Sequence, residues 1–452
     1  MAKRAHGYRP LSDDMGSGAR NGIWSTLQVA SPMLANAVYF IVVSRVLPVD
    51  QFGIFSYAIS LSGLGMTLVT AGLNALAVRH LVDDHERGAK ILTSLLLIRE
   101  CFAVLSYILL LFVSLTAGSP QIVMAVAITM LSLFVRAVDV PDFWYQARLR
   151  ARKTALLRTV AVLIWLAAKV LVAILVPDLV LFLVLFVVEP LTVSIALMVM
   201  YLRDQQTQRF AKPDLRHSAA MVREATPLTL SAAADQINTR ADIVIIQAML
   251  GSTEVGLYSA AVKVSELLYF APNAFMSGVF PALLRARSSG GTAAYRVVIQ
   301  RFLDRSFWSG VGVAVALMSL SAPIIHILFG QRFDEAVPAL VVLAALCPFV
   351  FMQSVASKWI VAEGLLWASL WRHAAGAVIN ITLNFALIPH LGILGAAYAS
   401  AASYVVSTYL SFYIGRPTRP IAHQMSIAIV WPVRLLVRKL RRRGSSDEVS
   451  PS

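Results

Sequence analysis

The sequence predicts an all-α membrane protein with about twelve transmembrane helices in two six-helix bundles related by an internal repeat. Its 452 residues are 58% hydrophobic and only 14% charged, which is far from the composition of a soluble domain. Twelve apolar runs are long enough to cross a hydrocarbon core of ~30 Å at a helical rise of ~1.5 Å per residue. One segment also occurs twice, which indicates two similar halves.

Turn signals and short polar loops separate the apolar runs. The predicted spans cover residues 22–44, 53–78, 91–116, 121–140, 156–176, 178–201, 227–250, 254–284, 304–328, 337–360, 371–388 and 393–414. We interpret the chain as a cytoplasmic N-terminal segment (1–21), a first bundle (22–201), a cytoplasmic linker (202–226), a second bundle (227–414) and a basic cytoplasmic tail (415–452). The amphipathic tail predicts a membrane-surface segment held by anionic headgroups, with a thirteenth span as the alternative.

The basic residues divide unequally between the two sides of the predicted membrane. The chain ends and even-numbered connections hold 31 Lys and Arg residues, and the odd-numbered connections hold 2, Arg45 and Arg332. Since basic loops stay in the cytoplasm, both termini are predicted to be cytoplasmic, in the cytoplasmic (inner) membrane. This division explains the net charge of +15 without a nucleic-acid partner.

The repeat joins two segments at a constant offset. LPVDQFGIFSYAISLSGL (47–64) aligns without a gap on LGSTEVGLYSAAVKVSEL (250–267), 203 residues later, with six identities that include Gly53/Gly256. Both copies lie at a turn between two predicted spans. Transporters often place their substrate site between such halves.

Motifs of enzymes are missing from the sequence. There is no GxxxxGK[ST], HExxH or GxSxG, and the eight histidines form no metal-ligand spacing. Cys101 and Cys347 each fall inside an apolar run and predict small buried hydrophobic residues rather than a disulfide. We therefore expect no catalytic residues, no metal and no cofactor, and a protein that is not an enzyme.

Charged residues deep in the predicted spans are the first candidates for a transport pathway, because ionisable groups in lipid are costly. The cations are Arg99, Lys169, Arg240 and Lys263, and the carboxylates that could couple transport to an ion are Glu189, Asp235, Asp242 and Glu266. Arg136 lies close to the cytoplasmic end of its span and is predicted to snorkel. Glu189-Pro190 is expected to interrupt the sixth span.

The seventh and eighth spans carry most of this charge. Asp235, Asn238 and Asp242 share one helix face, and Arg240 points roughly the opposite way. We expect that both faces cannot line one narrow cavity. Either the acidic stripe lines it and Arg240 pairs with a neighbouring helix, or the reverse. Lys263 and Glu266 are spaced to neutralise each other.

Four segments resemble the polysaccharide-transporter family, which includes the Wzx-type O-antigen flippases of the multidrug/oligosaccharidyl-lipid/polysaccharide exporter superfamily. They are RVLPVDQFGIFSYA, DVPDFWYQARLRARKTALLR, TRADIVIIQAMLGSTEVGLYSAA and INITLNFALIPHLGILGAAYASAASY. The resemblance implies two six-helix bundles around a central cavity that turns over a lipid-linked oligosaccharide by alternating access. Arg240 matches the family's Arg-x-Asp pattern, and Arg45 matches the basic residue that closes its first span.

The resemblance also implies the chemistry of the site. Basic residues would bind the pyrophosphate of the lipid-linked oligosaccharide, with Arg45, Arg99, Lys169, Arg240 and Lys263 as the candidates. Membrane lipids and a polysaccharide polymerase or export machinery are the expected partners.

Two other classes of function stay open at this point. An ion-coupled multidrug or metabolite antiporter would share the fold, and would be favoured if Asp235 and Asp242 dominated the cavity. A membrane glycan polymerase or ligase normally needs a sizeable outward loop, and the short predicted outward loops count against it.

Overall fold

The structure is a computed structural model. It describes residues 31–434 except 71, 85–86, 116–118, 149, 205–210, 290 and 433. The predicted N-terminal segment, the start of the first span (22–30) and the end of the tail (435–452) lie outside the described residues. Within the described residues the protein is all-helical, without a strand.

The described part of the first half contains eight helices. They are α1 (Ser31–Val46), α2 (Val49–Thr70), α3 (Leu73–Asp83), α4 (Gly88–Leu115), α5 (Pro120–Ala137), α6 (Pro141–Ala147), α7 (Ala151–Leu175) and α8 (Leu179–Arg203). Asp178 caps α8, since its Oδ1 accepts from the Leu181 amide at 2.9 Å.

Nine helices and two 3₁₀ turns make up the second half as far as the structure describes it. The helices are α9 (Leu215–Met249), α10 (Ser252–Ser289), α11 (Gly291–Ser319), α12 (Ser321–Leu328), α13 (Val337–Ala344), α14 (Cys347–Glu363), α15 (Leu366–Leu391), α16 (Ile393–Thr408) and α17 (Arg419–Ile429). The 3₁₀ turns are Gln331–Ala336 and Leu410–Tyr413.

Seven helices of the described part are long and apolar enough to cross a membrane, or nine if each of two bent pairs is one span. The bent pairs join α11 to α12 at 65° and the segment ending in α13 to α14 at 47°. The protein is therefore a multi-pass membrane protein. Helices α9 and α10 fall outside this set because their charged and polar residues lower their mean hydropathy.

Several predicted boundaries are wrong. The second span was predicted as one helix over 53–78, but α2 and α3 are separate helices, and Gly72 between them has a φ of 73° that favours glycine. Helix α9 starts at Leu215, inside the predicted linker. Helix α8 continues through Pro190, so Glu189-Pro190 does not interrupt it.

The tail differs from its prediction as well. Helix α17 is amphipathic, but its apolar face packs on α11 and on the 3₁₀ turn Leu410–Tyr413, with Ile421, Ala422 and Met425 buried. Trp308 of α11 donates to the carbonyl of Ala428 at 3.1 Å. The described part of the tail is thus attached to the helical body.

The repeated segments form the contact between the two halves. Helices α2 and α10 begin at Val49 and Ser252, which are equivalent at the offset of 203. A Cβ on Gly53 would lie 1.7 Å from the carbonyl oxygen of Ser252, and one on Gly256 would lie 2.5 Å from that of Val49. Gly53 approaches Ser252 and Gly256 approaches Val49, and Val49 and Ser252 are equivalent residues of the two copies. The two contacts are therefore related by a local two-fold axis.

Candidate functional site

Two cavities lie on either side of Arg240. The first-half cavity has a volume of about 270 Å³ and opens among α1, α2, α5 and α8. Its apolar wall includes Tyr39, Phe40 and Phe55, and three cations line it: Arg136, Arg240 and Lys263. No carboxylate of the described residues is part of its lining. The first-half cavity is therefore electropositive.

Arg136 is the cation of this cavity whose charge is least compensated. No ion pair joins its guanidinium to a carboxylate of the described residues. Asp139, one turn away, accepts from the Ser194 hydroxyl and lies 3.2 Å from the Arg158 guanidinium. Arg136 was not among the candidates predicted from the sequence, because it lies near a span end. Its guanidinium is available to bind an anion.

The second-half cavity has a volume of about 240 Å³ and opens among α9, α10, α13 and α16. Three carboxylates line it, from Asp235, Asp242 and Glu266, together with hydroxyl groups of Tyr258, Ser400 and other residues. Among the described residues, Arg240 is its one lining cation. The second-half cavity is therefore acidic.

The two cavities are built from equivalent positions of the repeat. Seven lining residues of the first-half cavity correspond to lining residues of the second at the offset of 203: Asn36/Thr239, Tyr39/Asp242, Phe55/Tyr258, Ile59/Val262, Ser62/Ser265, Gly63/Glu266 and Met66/Tyr269. Two of the seven pairs place a carboxylate in the second half opposite an uncharged residue in the first. The two copies of the repeat thus share a backbone arrangement, but the cavities that they line carry opposite charge.

A cluster of three charges joins the cavities. Arg240 Nη2 lies 2.7 Å from Glu266 Oε1, and Lys263 Nζ lies 3.4 Å from Glu266 Oε2. Lys263 is on α10 but reaches the first-half cavity, 5.2 Å from the ring of Phe40 on α1. The pairing of Lys263 with Glu266 and of Arg240 with a neighbouring helix, both anticipated from the sequence, is present.

The prediction that Arg240 and the acidic stripe cannot line one cavity is wrong. Asp235, Arg240 and Asp242 all line the second-half cavity. The arginine side chain is long enough to turn from its own helix face toward Glu266 on α10, which the rotation per residue does not reveal.

The acidic residues have defined partners. Asp235 Oδ1 lies 2.8 Å from Nδ1 of His373, which is buried on α15. Asp242 accepts from the hydroxyl of Tyr258 and, at 3.1 Å, from that of Ser400. His373 was not predicted from the sequence, although its place inside the run 371–388 was a usable signal.

Three of the candidate cations lie in neither cavity. Lys169 is buried in α7, contacts Glu189 of α8, and lies 4.1 Å from the ring of Tyr39. Arg99 is buried and donates to the carbonyl of Arg136 at 2.7 Å. Arg45 is exposed and donates to the carbonyl of Leu328 at 2.9 Å. Lys169, Arg99 and Arg45 therefore contact other parts of the protein and line neither cavity in this structure.

Two remaining expectations concern Glu189 and the cysteines. Glu189 forms an ion pair with Lys169 and lines neither cavity. Cys347 is buried, but Cys101 is exposed on α4, contrary to prediction. No group of three His, Cys, Asp or Glu residues suited to a metal ion occurs in the described part of the chain.

These features define a multi-span helical membrane protein with two repeat-related cavities. The chain belongs to the polysaccharide biosynthesis protein family, which matches residues 19–286. It is similar to the "Probable low-salt glycan biosynthesis flippase Agl15" of Haloferax volcanii, with 24% identity over 199 residues, 44% of this chain and 42% of the relative. It is also similar to the "Lipopolysaccharide biosynthesis protein WzxC" of Escherichia coli K12, with 23% identity over 257 residues, 49% of this chain and 50% of the relative. The chain thus matches about half the length of these curated relatives.

Solved structures share the fold over nearly the whole chain. The lipid II flippase MurJ in an inward closed conformation superposes with a TM-score of 0.71 at 13% identity, covering 92% of both chains. An inward-facing multidrug resistance MATE family transporter superposes with a TM-score of 0.68 at 14% identity, covering 87% of this chain and 98% of the other. The fold is therefore that of MurJ and the MATE transporters, as the sequence predicted at the superfamily level.

Proposed function

We propose that this protein is a transporter rather than an enzyme, and that it moves a lipid-linked oligosaccharide across the cytoplasmic membrane for polysaccharide biosynthesis. The first-half cavity carries this proposal, because three cations and no carboxylate of the described residues line it. A polyprenyl diphosphate glycan presents a compact anion that must leave water to pass through the protein. Losing that hydration is far more costly for a diphosphate than for sugar hydroxyls.

The three cations have different roles. Arg136 forms no ion pair with a carboxylate of the described residues, and its planar guanidinium can donate several hydrogen bonds to phosphate oxygens. Lys263 and Arg240 share Glu266 and bring positive charge from the second half to the same space. A diphosphate between them would contact both halves at once. Its binding would therefore be coupled to the relative movement of the halves, as alternating access requires.

The size of the cavity agrees with a closed state. A volume of about 270 Å³ is below the usual range of ligand pockets, ~300–1,000 Å³. It accommodates a diphosphate but not an oligosaccharide. The halves must therefore separate at one end before substrate enters, while the lipid tail stays in the bilayer.

The membrane topology belongs to the same proposal. Nine candidate spans together with α1, α9 and α10 make twelve crossings in two bundles of six, with both termini in the cytoplasm. The supporting observation is the unequal division of basic residues between the two sides. Membrane lipids, and a polysaccharide polymerase or export machinery, are the partners that this placement implies.

The second-half cavity favours a second candidate function. Three carboxylates and the Asp235–His373 pair suit an ion-coupled multidrug or metabolite antiporter, and they suit equally a coupling site of the flippase. Growth of a flippase-deficient strain separates the two functions. We expect expression to restore the surface glycan without raising drug resistance, whereas the opposite result would establish the antiporter. A glycan polymerase is disfavoured by the short connections at residues 176–178, 250–251 and 392, where it would need a large loop.

Arg136→Ala tests the proposal at its supporting residue. Because a hydrogen bond to a charged group contributes ~1.5–3 kcal/mol, we expect glycan export to fall roughly 10- to 100-fold, with unchanged protein abundance in the membrane. Lipid-linked oligosaccharide should accumulate, as measured by mass spectrometry of extracted lipids. Lys358→Ala removes a span cation that lines neither cavity and should leave export intact. Normal export by an abundant Arg136→Ala protein would contradict the proposal.

A further inference from the structure

A third cavity lies apart from the two described above. This interfacial pocket has a volume of about 410 Å³ and is lined by the start of α15 (Trp367, Trp371, Arg372) and by residues 411–418. Trp367–Leu391 is a candidate span that starts here, and Ile393–Tyr413 is one that ends here. The pocket is therefore at the level where two spans meet the membrane surface, and it shares no residue with either cavity.

Arg372 is a buried charge that no carboxylate of the described residues contacts. Its relative exposure is 5%. Its Nη2 donates to the Ser357 hydroxyl at 3.2 Å, its Nη1 lies 3.5 Å from the carbonyl of Ser407, and its Nε is buried without a partner. Asp235 attracts it only through space, because that carboxylate pairs with His373. A buried charge is costly unless a counter-charge contacts it, so the arrangement points to an anion in the pocket.

The rim of the pocket is apolar and aromatic. Trp371 and Ile414 are 71% and 77% exposed, and Trp367 is 59% exposed. Tryptophan favours the headgroup level of a bilayer, where its ring contacts acyl chains. Arg416 and Arg419 are exposed at the same end of the molecule but are not among the lining residues. A buried cation beneath an exposed aromatic rim matches a ligand with one phosphate and a hydrocarbon chain.

We propose that the interfacial pocket binds an anionic phospholipid of the bilayer, with its headgroup phosphate on Arg372 and an acyl chain across Trp367 and Trp371. The phosphate supplies the counter-charge that Arg372 lacks. The volume of about 410 Å³ accommodates a headgroup and glycerol. The glycan of a transported substrate would not fit, and the pocket lies outside the transport cavities, so a bilayer lipid is the occupant.

Lipid binding to the purified full-length protein tests this site. Native mass spectrometry should be carried out with phosphatidylglycerol, with phosphatidylcholine and with undecaprenyl diphosphate. We expect Arg372→Gln to weaken phosphatidylglycerol binding about tenfold or more, because a charge-assisted contact to phosphate is lost. Trp371→Ala, on the exposed rim, should weaken it severalfold. The matched control Arg416→Gln removes an equal charge at the same end but outside the lining, and should change binding less than twofold.

The outcomes separate the possible ligands. Selective loss of phosphatidylglycerol binding in Arg372→Gln and Trp371→Ala, with little change for undecaprenyl diphosphate, would support the proposal. A loss confined to undecaprenyl diphosphate would assign the pocket to the carrier lipid and overturn it. An equal loss of phosphatidylglycerol binding in Arg416→Gln would show that the lipid responds to general surface charge, and would also overturn the proposal. If Arg372→Gln fails to fold, wild-type phosphatidylglycerol binding by the Trp371→Ala protein overturns it.

Discussion

Lys169 and Glu189 show how a charge deep in a membrane protein can serve folding alone. Both side chains are largely buried between α7 and α8, and the ammonium also lies 4.1 Å from the ring of Tyr39. The hydroxyl of Tyr39 in turn donates to the carbonyl of Phe182 at 2.7 Å. Removal of one charge from such a pair leaves the other buried and uncompensated.

Lys169→Met should therefore destabilise the protein by ~3–5 kcal/mol, the usual cost of breaking a buried ion pair from one side. Thermal unfolding of the purified protein in detergent measures the loss. The double variant Lys169→Met/Glu189→Leu should recover most of it, because no isolated charge remains. A double variant no more stable than the single one would show that Lys169 acts through Tyr39 rather than through Glu189.

Single residues also show the limits of reasoning from sequence. Depth within a span predicted that Lys169 and Arg99 line a cavity, whereas both are buried against other parts of the protein. Depth does not reveal a partner on another helix. Arg136 was set aside because an arginine near a span end can reach water, whereas its guanidinium lines the first-half cavity. A side chain of this length can face either way, and only the packing of α5 against its neighbours decides.

At the scale of helices, the contact between α2 and α10 depends on having no side chain at two positions. The Gly53 and Gly256 backbones approach so closely that a Cβ on Gly53 would meet the carbonyl oxygen of Ser252 at 1.7 Å. The obstacle is backbone, so a rotamer change cannot relieve it. Small residues allow such close approach of membrane helices.

Gly53→Ala should consequently disrupt the junction of the two halves, with a marked loss of membrane abundance and thermal stability. Gly63→Ala is the matched control on the same helix, because no atom of the described residues lies within 4 Å of the place its Cβ would occupy. Alanine there should keep abundance unchanged or stabilise α2 by up to ~1 kcal/mol, the difference in helix propensity. Both are measured with a fluorescent fusion and thermal unfolding. Equal abundance of the two variants would refute the close contact.

The helices also show which parts of the fold the sequence determines locally. The repeat between 47–64 and 250–267 predicted equivalent helices, and α2 and α10 start at equivalent residues. The breaks after α2, α11 and α13 were missed because the hydropathy stays high through them. The neighbours that a helix packs against determine where it bends, and the hydropathy of its sequence does not identify those neighbours.

For the whole molecule, the charge difference between the cavities would give the two halves different roles under the proposed function. The electropositive first-half cavity would bind the substrate anion, and the acidic second-half cavity would bind a cation that couples transport. Arg240, Lys263 and Glu266 lie between them, so charge that enters one cavity changes the electrostatics of the other. The charge difference between the cavities could not be predicted by comparing the two repeat sequences alone, because Arg136 comes from α5, outside the repeated segment.

One end of the molecule is held closed by a reciprocal pair of arginines, here called the clasp. Arg45, at the end of α1, donates to the carbonyls of Leu328 and its neighbour Ile327 at the end of α12. Arg332 of the second half donates to the carbonyl of Arg45 at 2.9 Å and lies 3.4 Å from that of Ser44. Each half thus neutralises the exposed carbonyls at a helix end of the other half. Beneath the clasp, the rings of Phe52 and Phe333 pack at 5.5 Å.

The proposed alternating access requires this end to open, so weakening the clasp should shift the population toward the open state. Arg45→Gln/Arg332→Gln removes charge-assisted bonds on the exposed surface. We expect a net change of ~1–2 kcal/mol, which is a factor of roughly 5–30 in the ratio of open to closed molecules. Gln121 and His390 are both exposed and lie on opposite halves, so spin labels at these positions report the distance between the halves at this end. The distance is measured by double electron–electron resonance in a protein whose own cysteines are replaced by Cys101→Ser and Cys347→Ser.

The distance distribution decides between a gate and a static support. A longer-distance population should appear in the double variant and remain minor in the parent protein, while Arg416→Gln, at a distant surface, should leave the distribution unchanged. If the variant keeps the parent distribution and loses only thermal stability, the clasp is a structural contact and Phe52 with Phe333 holds this end closed. If the longer distance appears and glycan export falls as well, the open state has become too stable to close again, because a transporter needs both of its states to be accessible.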